Sequence, residues 1–521
     1  MRLIDGSTSR ENGVLSDLLL QTIERQGGQS LSRQVYDVLR HLILQGDIAA
    51  GTKLTASRAL ARDTGLSRNT VLAAYEQLQS EGYIVTSSGS GTYVSDTMPA
   101  RSEPATVAAD NGGDPEKPQL VLSRRGTQII RNAQASDKQW GAFVPGVPDV
   151  SQFPHRTWLR LLRRHWRKPD PALLTYAYGA GYLPLRTALS EHLRLARSVR
   201  CDSDQVLLSS GIHQSISLIA NLLGDSGCSA WIENPAYWGA ANMLRTCGIR
   251  TVPIDLDEEG LAPTASQMED PPRFIFVTPS HQYPLGTVMS LARRRMLLEY
   301  AHTHGTWIIE DDYDSEFRFG GRPIASLQGL DDNDRVLYLG TFSKTLFPSL
   351  RLGYMVVPKA LTGHFSTGLT ELYRDGRQIE QAVLADFISE GHYAAHIRRA
   401  RMCYARRQAL LRDAILDAFG ADWPVSTQDA GMHLVMHLPP GTDDVGIVLA
   451  ARSAEIYVRA LSRYYADGVG PPGLLLGYAT VPDDQIAPMF RKLTQLILPG
   501  LKAGAVLRPC RRDLVGATQF L

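Results

Sequence analysis

The chain has 521 residues, 44% of them hydrophobic and 21% charged, with a formal net charge of +1. That balance fits a globular protein of two or three folding units and excludes a chain too polar to bury a core. No run of about eighteen apolar residues occurs, so no membrane-spanning helix is expected, and bulk charge gives no sign of nucleic acid, so such a partner has to be argued locally.

The opening stretch, MRLIDGSTSRENGVLSDLLLQTIERQGG, lacks the basic start, long apolar core and cleavage site of a secretory signal. Cys201, Cys228, Cys247, Cys403 and Cys510 are dispersed without C-x-x-C spacing. They read as reduced thiols of a cytosolic protein, with no metal site. A helix-rich unit is expected over 29–97. Leu31, Val35, Leu39 and Leu42 stand at helical spacing, and a second helix, ASRALARDT, ends before Gly65. A third opens at Ser67, a good N-cap, and carries Val71, Tyr75 and Leu78 on one face. Two helices joined through a glycine turn, followed by two short strands in YIVTSSGSGTYVS, make a helix-turn-helix with a β-wing. The third helix would offer Arg68, Asn69 and Thr70 at its N-terminal end, where base edges and phosphates are met.

Charge alone would favour a plain helical cap, because residues 31–95 hold six Lys/Arg against five acids. The ordered pattern reverses that judgement. Ser57-Arg58, LSRNTV at 66–71, AYEQLQSEGY at 74–83 and GSGTYV at 89–94 resemble the winged helix-turn-helix of GntR-type bacterial regulators. The resemblance implies double-stranded operator DNA as partner. Arg58, Ser67, Arg68, Asn69 and Thr70 would face it, and Gly89 would let the wing approach the minor groove. Some members carry a further arginine where this chain has Leu72, so no base contact is expected there.

Residues 98–136, rich in Pro, Ala, Gly and charge, read as a flexible linker. From 137 to 505, short apolar runs such as RFIFVTPS, TWIIEDDY and RVLYLGTFS alternate with helical patterns. That alternation predicts a mainly parallel α/β sheet covered by helices on both faces.

Four features of this region point to chemistry. WIIEDDYDSEF ends a strand in Glu310, Asp311 and Asp312, where a parallel sheet lines its ligand crevice. Asp312 and Asp314, taken singly, read as hydrated loop acids. Ser209, Ser210 and Gly211 lie between a strand and a helix, a seat for a phosphate at free N–H groups. Tyr237 and Trp238 follow another strand. Finally GTFSKTLFPSLRLGY places Lys344 and Arg351 among hydroxyls, where a desolvated lysine can serve as a nucleophile. A phosphate seat, an aromatic ring, a carboxylate, an amine and a second cation are together what pyridoxal 5'-phosphate requires.

Residues 137–505 resemble a fold-type I, aspartate aminotransferase-like domain. PSHQYPLG at 279–286, EDDYDSEFR at 310–318 and GTFSKTLFPSLRLGY at 340–354 match the MocR/GabR subfamily of GntR regulators, which fuses that domain to a winged helix. The resemblance makes Lys344 the internal-aldimine lysine and pairs Asp311 with the pyridine nitrogen. It sets Tyr313 on the phenolic oxygen and stacks Tyr237 on the ring. Ser210, Gly211, Ile212, Thr341, Ser343 and Arg351 would hold the phosphate. A head-to-tail homodimer is implied as well.

Two departures bear on activity. Tyr283-Pro284-Leu285-Gly286 stands where aminotransferases usually have NPTG. LLLGYA at 474–479 puts Leu475 where a late-strand arginine usually grips the substrate carboxylate, and that clamp supplies positioning on which transamination depends. Arg459 is a nearby alternative cation or a solvated strand end, and His281 and Gln282 face the cofactor or serve structure. The expected function is a PLP-dependent transcriptional regulator that senses a small amine, amino acid or vitamer through Lys344. The alternatives are a working aminotransferase with an accessory DNA-binding domain, and a DNA-binding protein whose large domain only dimerises.

Overall fold

The computed structural model describes residues 11–25, 28–87, 89–96, 121–131, 138–176, 178–320, 324–374, 376–426 and 429–501. They fall into two compact units that divide after residue 120.

The smaller unit contains α1 (Glu11–Thr22), α2 (Leu31–Gln45), α3 (Ser57–Thr64), α4 (Arg68–Ser80), β1 (Ile84–Ser87) and β2 (Gly91–Val94). Val35, Leu39, Leu60, Val71 and Leu78 form its core, and Leu19 of α1, which precedes the expected start at 29, is buried with them. Local chemistry sets the boundaries. Ser30 and Ser67 cap α2 and α4, each accepting a backbone N–H three residues on, and Gly46 and Gly65 end α2 and α3 in the left-handed conformation. The strands pair antiparallel from Ile84 opposite Val94 to Ser87 opposite Gly91, so the wing is present as read. Most of the expected linker lies outside the described residues. Within it, Arg124–Arg131 is helical and belongs to the larger unit.

The larger unit is built on eight strands. They are β3 (Val206–Ser209), β4 (Ser229–Asn234), β5 (Arg250–Asp257), β6 (Gly260–Leu261), β7 (Phe274–Val277), β8 (Trp307–Asp312), β9 (Val336–Thr341) and β10 (Gly353–Val356), in spatial order β3-β10-β9-β8-β7-β4-β5-β6. Strands β5, β4, β7, β8 and β9 are parallel neighbours, as the alternation predicts. LGYMVV departs from that expectation: β10 runs antiparallel to both β9 and β3. The segment between Thr341 and Gly353 is too short for a helical crossover, so the chain turns straight back. The two reversals cancel, and β3 ends on the same edge as β4, β8 and β9.

A second sheet holds β11 (His433–His437), β12 (Arg459–Ala460) and β13 (Gly473–Gly477) in the order β11-β13-β12. The long helix His392–Phe419 contributes Tyr404, Leu411 and Ile415 to the core beneath it. Among the described residues no helix is long and apolar enough to cross a membrane.

Candidate functional site

A cavity of about 580 Å³ opens where β3, β4, β8 and β9 end. Lys344, Asp311, Tyr313, Tyr237, Gly211, Ile212, Thr341, Ser343 and Arg351 all line it. These residues span more than a hundred positions of sequence, and the sheet edge brings them together. Ser210 is not on the wall; its backbone N–H donates to Gln214 Oε1 one turn into the following helix.

Each side chain has a local reason for its place. Gly211 at φ +113° precedes the helix Ile212–Leu223, and the Arg351 guanidinium lies 3.8 Å from where a Cβ on Gly211 would stand. Arg351 itself is left-handed at φ +51°. A non-glycine residue there costs roughly 1–3 kcal/mol unless its surroundings fix it, and Arg377 does so by donating to the carbonyl of Leu350 at 2.6 Å. Thr341 Oγ1 accepts the Ser343 N–H at 3.1 Å and shapes the turn that carries Lys344. The Tyr237 ring stacks on His213, whose Nε2 lies 2.9 Å from the Tyr237 hydroxyl.

Burial sets the electrostatics. It lowers the pKa of Lys344, and Asp314 and Asp311 only partly offset it. Lys344 Nζ donates to the carbonyl of Gly146 at 2.6 Å. Gly146 itself needs no Cβ at φ +73°. Burial, with Asp312 next to it, pushes Asp311 up to about 8 against the pull of Lys344. Among the described residues nothing donates a hydrogen bond to Asp311. Amine and carboxyl thus share one cavity, each drawn towards its neutral form.

Two expectations are corrected. Asp312 is no hydrated loop acid. It is buried, bonded to Arg197 Nε at 2.7 Å and to the Tyr338 hydroxyl at 2.6 Å. Burial would raise its pKa, and Arg197 with the hydroxyls of Ser315 and Tyr338 overcomes that and holds it low. Asp314 is buried too, accepting from His281 Nδ1 at 3.0 Å. His281 does not reach the cavity; the Tyr313 hydroxyl lies 3.0 Å from the same Nδ1. Because that nitrogen's single hydrogen goes to Asp314, it has no lone pair to accept from Tyr313, so the tyrosine's own O–H is free to point elsewhere. Gln282 is structural, donating to the carbonyls of Pro235 and Tyr283 at 2.8 Å. Arg459 is a wall residue, while Leu475 is buried among Val435 and Leu461. Sequence reasoning missed Gly146, Arg377 and Tyr464; each acts across 26 or more positions, and none carries a local signature.

In the smaller unit Ser67 Oγ accepts the Thr70 N–H at 3.1 Å and pairs with the Thr70 hydroxyl at 2.8 Å, so both hydroxyls are engaged in the cap. Arg58, Arg68 and Asn69 are exposed in the first turns of α3 and α4. Arg33 and Arg62 pair with Asp37 and Asp63, whereas among the described residues Arg58 and Arg68 pair with no carboxylate. Gly89 turns the wing at φ +80° with open space around it.

A winged helix-turn-helix and an α/β unit with a lysine-centred cavity define a class of transcription regulator with an enzyme-like second domain. The family of bacterial regulatory proteins called gntR matches residues 31–94, and aminotransferase class I and II matches residues 151–493. The probable rhizopine catabolism regulatory protein MocR of Rhizobium meliloti is 38% identical over 488 residues, 93% of this chain and 97% of that one. The HTH-type pyridoxine biosynthesis transcriptional regulator PdxR of Corynebacterium glutamicum is 28% identical, over 90% and 97%. Among solved structures, LysN, an α-aminoadipate aminotransferase of Thermus thermophilus complexed with N-(5'-phosphopyridoxyl)-L-leucine, superposes with a TM-score of 0.64 at 26% identity, over 71% and 97%. The Pyrococcus horikoshii kynurenine aminotransferase gives the same score at 24% identity, over 74% and 96%. The chain belongs to the MocR-type GntR-family regulators, which are HTH-type transcriptional regulators with an aminotransferase class I domain.

Proposed function

We propose that this regulator holds pyridoxal 5'-phosphate in the cavity of its larger unit, and that Lys344 reads a small amine, amino acid or vitamer as effector. One observation carries the reading: Lys344 and Asp311 line the same cavity with their pKa values drawn towards each other. Burial favours the neutral amine of Lys344, the form that acts as a nucleophile, and a buried carboxyl without a donor is suited to a protonated ring nitrogen. When bound, this cofactor supplies an aldehyde that condenses with primary amines and a ring that withdraws electrons.

The chain's own residues fit the group. Gly211, Ile212, Thr341, Ser343 and Arg351 would hold the phosphate, a fork-shaped guanidinium suiting it better than an ammonium. Tyr237 would cover the ring face. Tyr313 would donate its O–H to the phenolic oxygen. Lys344 is the variable element, neutral as a nucleophile or charged and held by the Gly146 carbonyl. Arg58, Arg68 and the wing would hold operator DNA. A cytosolic head-to-tail homodimer, nucleoid-associated when bound, completes the reading.

The effector shifts DNA affinity only as far as it binds two conformations differently. The test compares full-length wild type and Lys344→Ala for binding to the DNA flanking the protein's own gene, with cofactor, and with and without a panel of primary amines. Equal DNA affinity without amine, and an amine-dependent change in wild type alone, is the expected result. A variant that responds like wild type overturns the role of the lysine.

A further inference from the structure

Tyr237 is read as the cover of the cofactor ring, and its own placement needs a cause. It stands at the entry of the helix Trp238–Thr246, and its side chain makes no capping bond to that helix. A ring on two rotatable bonds serves as a cover only in one orientation. We propose that His213 is a positioning residue, which latches the Tyr237 hydroxyl and so holds the ring in the orientation that covers the cofactor. This rests on the reading of the cavity as the cofactor site.

Three observations meet on the pair. His213 Nε2 lies 2.9 Å from the hydroxyl, and among the described residues this is the one hydrogen bond of the Tyr237 side chain. The two rings stand 5.9 Å apart, centre to centre, with 24° between their planes. That arrangement is offset, so the imidazole holds the tyrosine by its tip and leaves ring face to the cavity that both residues line. Trp238 and Tyr283 meet the ring at 5.3 and 6.2 Å, which limits its swing without fixing the tip. The third observation is Gly239, buried just behind. A Cβ there would fall on the Tyr237 ring and lie 2.6 Å from His213 Nε2, so an absent side chain keeps the space of the latch open.

Topology brings the two together. His213 lies in the first turn of the helix Ile212–Leu223, two residues beyond Gly211, so the turn read as the phosphate seat also carries the latch. Tyr237 follows β4, and four strands separate β4 from β3 in the sheet. The two helices close that distance by sharing one core, through Ile216, Ile219, Ala240 and Leu244.

The electrostatics favour a latch over a phosphate ligand. Burial, and after it the nearby Arg351, lowers the pKa of His213, so the imidazole is neutral at neutral pH. Burial also pushes the Tyr237 hydroxyl up to about 12. Two neutral groups therefore share the bond, which fixes geometry without adding charge. A protonated imidazole would suit an anion better, and the arginine beside it disfavours that form.

The experiment uses the full chain and two probes: pyridoxine 5'-phosphate, which has ring and phosphate but no aldehyde, and inorganic phosphate. By calorimetry, His213→Ala should weaken the first roughly three- to ten-fold, as for one neutral hydrogen bond, and leave the second unchanged. His213→Gln should restore part of the loss. Tyr237→Phe keeps the ring and drops the hydroxyl, so it should match His213→Ala, and the double variant should be no worse than either alone. Gly239→Ala should cause a similar loss by crowding the pair. In cofactor-free protein labelled with fluorotyrosine, the Tyr237 signal, assigned with Tyr237→Phe, should shift in His213→Ala and move back in His213→Gln. Additive losses in the double variant, a matching loss of inorganic phosphate binding, or an unmoved Tyr237 signal overturns the latch. Failure of the cofactor reading shows separately, as wild type that does not take pyridoxine 5'-phosphate while the Tyr237 signal still answers to His213→Ala.

Discussion

Asp311 and Asp312, adjacent on β8, face opposite sides of the sheet and meet opposite fates. Asp312 is locked to Arg197 at 2.7 Å, and Asp311 stands in the cavity with its pKa pushed up to about 8. Period-two alternation along a strand makes this possible, since one residue can anchor while its neighbour reacts. Arg197 also donates to the Ser280 hydroxyl and the Ile324 carbonyl, so three segments meet on one guanidinium.

Removing Arg197 strands a buried carboxylate. Arg197→Ala should destabilise the larger unit by about 3–5 kcal/mol, the range for breaking one side of a buried pair. Urea unfolding followed by tryptophan fluorescence measures this, and a loss under about 1 kcal/mol would mean that water replaces the arginine.

Asp311 should cost stability in the cofactor-free protein. Its folded pKa of about 8 exceeds the ordinary 3.8, so between those values the folded state holds the proton and the unfolded state has released it. Stability from this group is therefore present below pH 3.8 and is lost as pH rises towards 8. Asp311→Asn removes the dependence. Without cofactor the variant should gain on wild type by up to about 1.4 kcal/mol per pH unit across that window, and it should bind cofactor more weakly. Thermal melts across the window check it, and parallel curves for the two proteins would contradict it.

The two kinds of arginine in the smaller unit should separate in DNA binding. Arg68→Ala should lower the salt slope of binding by about one and weaken affinity, and Arg58→Ala should act similarly. Arg62→Ala, whose partner is Asp63 at 3.4 Å, should leave both nearly unchanged. Equal effects from all three would place the DNA face elsewhere.

Ser67→Ala should act through stability. Its Oγ is spent on the Thr70 N–H, so the loss should be about 1 kcal/mol of unit stability. A loss of DNA affinity without any loss of stability would show instead a direct contact by the hydroxyl.

How much of this was legible beforehand follows the range of each interaction. Ser67, Gly46 and Gly65 announce helix ends by local chemistry, and the smaller unit could be read from them. Lys344 was visible in its own window, but its acceptor Gly146 lies 198 positions away. Asp312 and Asp314 looked hydrated because sequence shows an acid without its partner, and Arg197 and His281 stand far off along the chain. The reversed β10 was hidden because an apolar run carries no direction. Leu475 as a missing arginine was legible, whereas Arg459 as its neighbour across the sheet required the register of β12 on β13.

The central claim is that Lys344 bears the cofactor. Purified full-length protein with pyridoxal 5'-phosphate, reduced with borohydride and mapped by peptide mass spectrometry, tests it directly. The account predicts one stable adduct, on Lys344, and none there in Lys344→Ala. An adduct on another lysine, or none on Lys344 with the cofactor in excess, would contradict it.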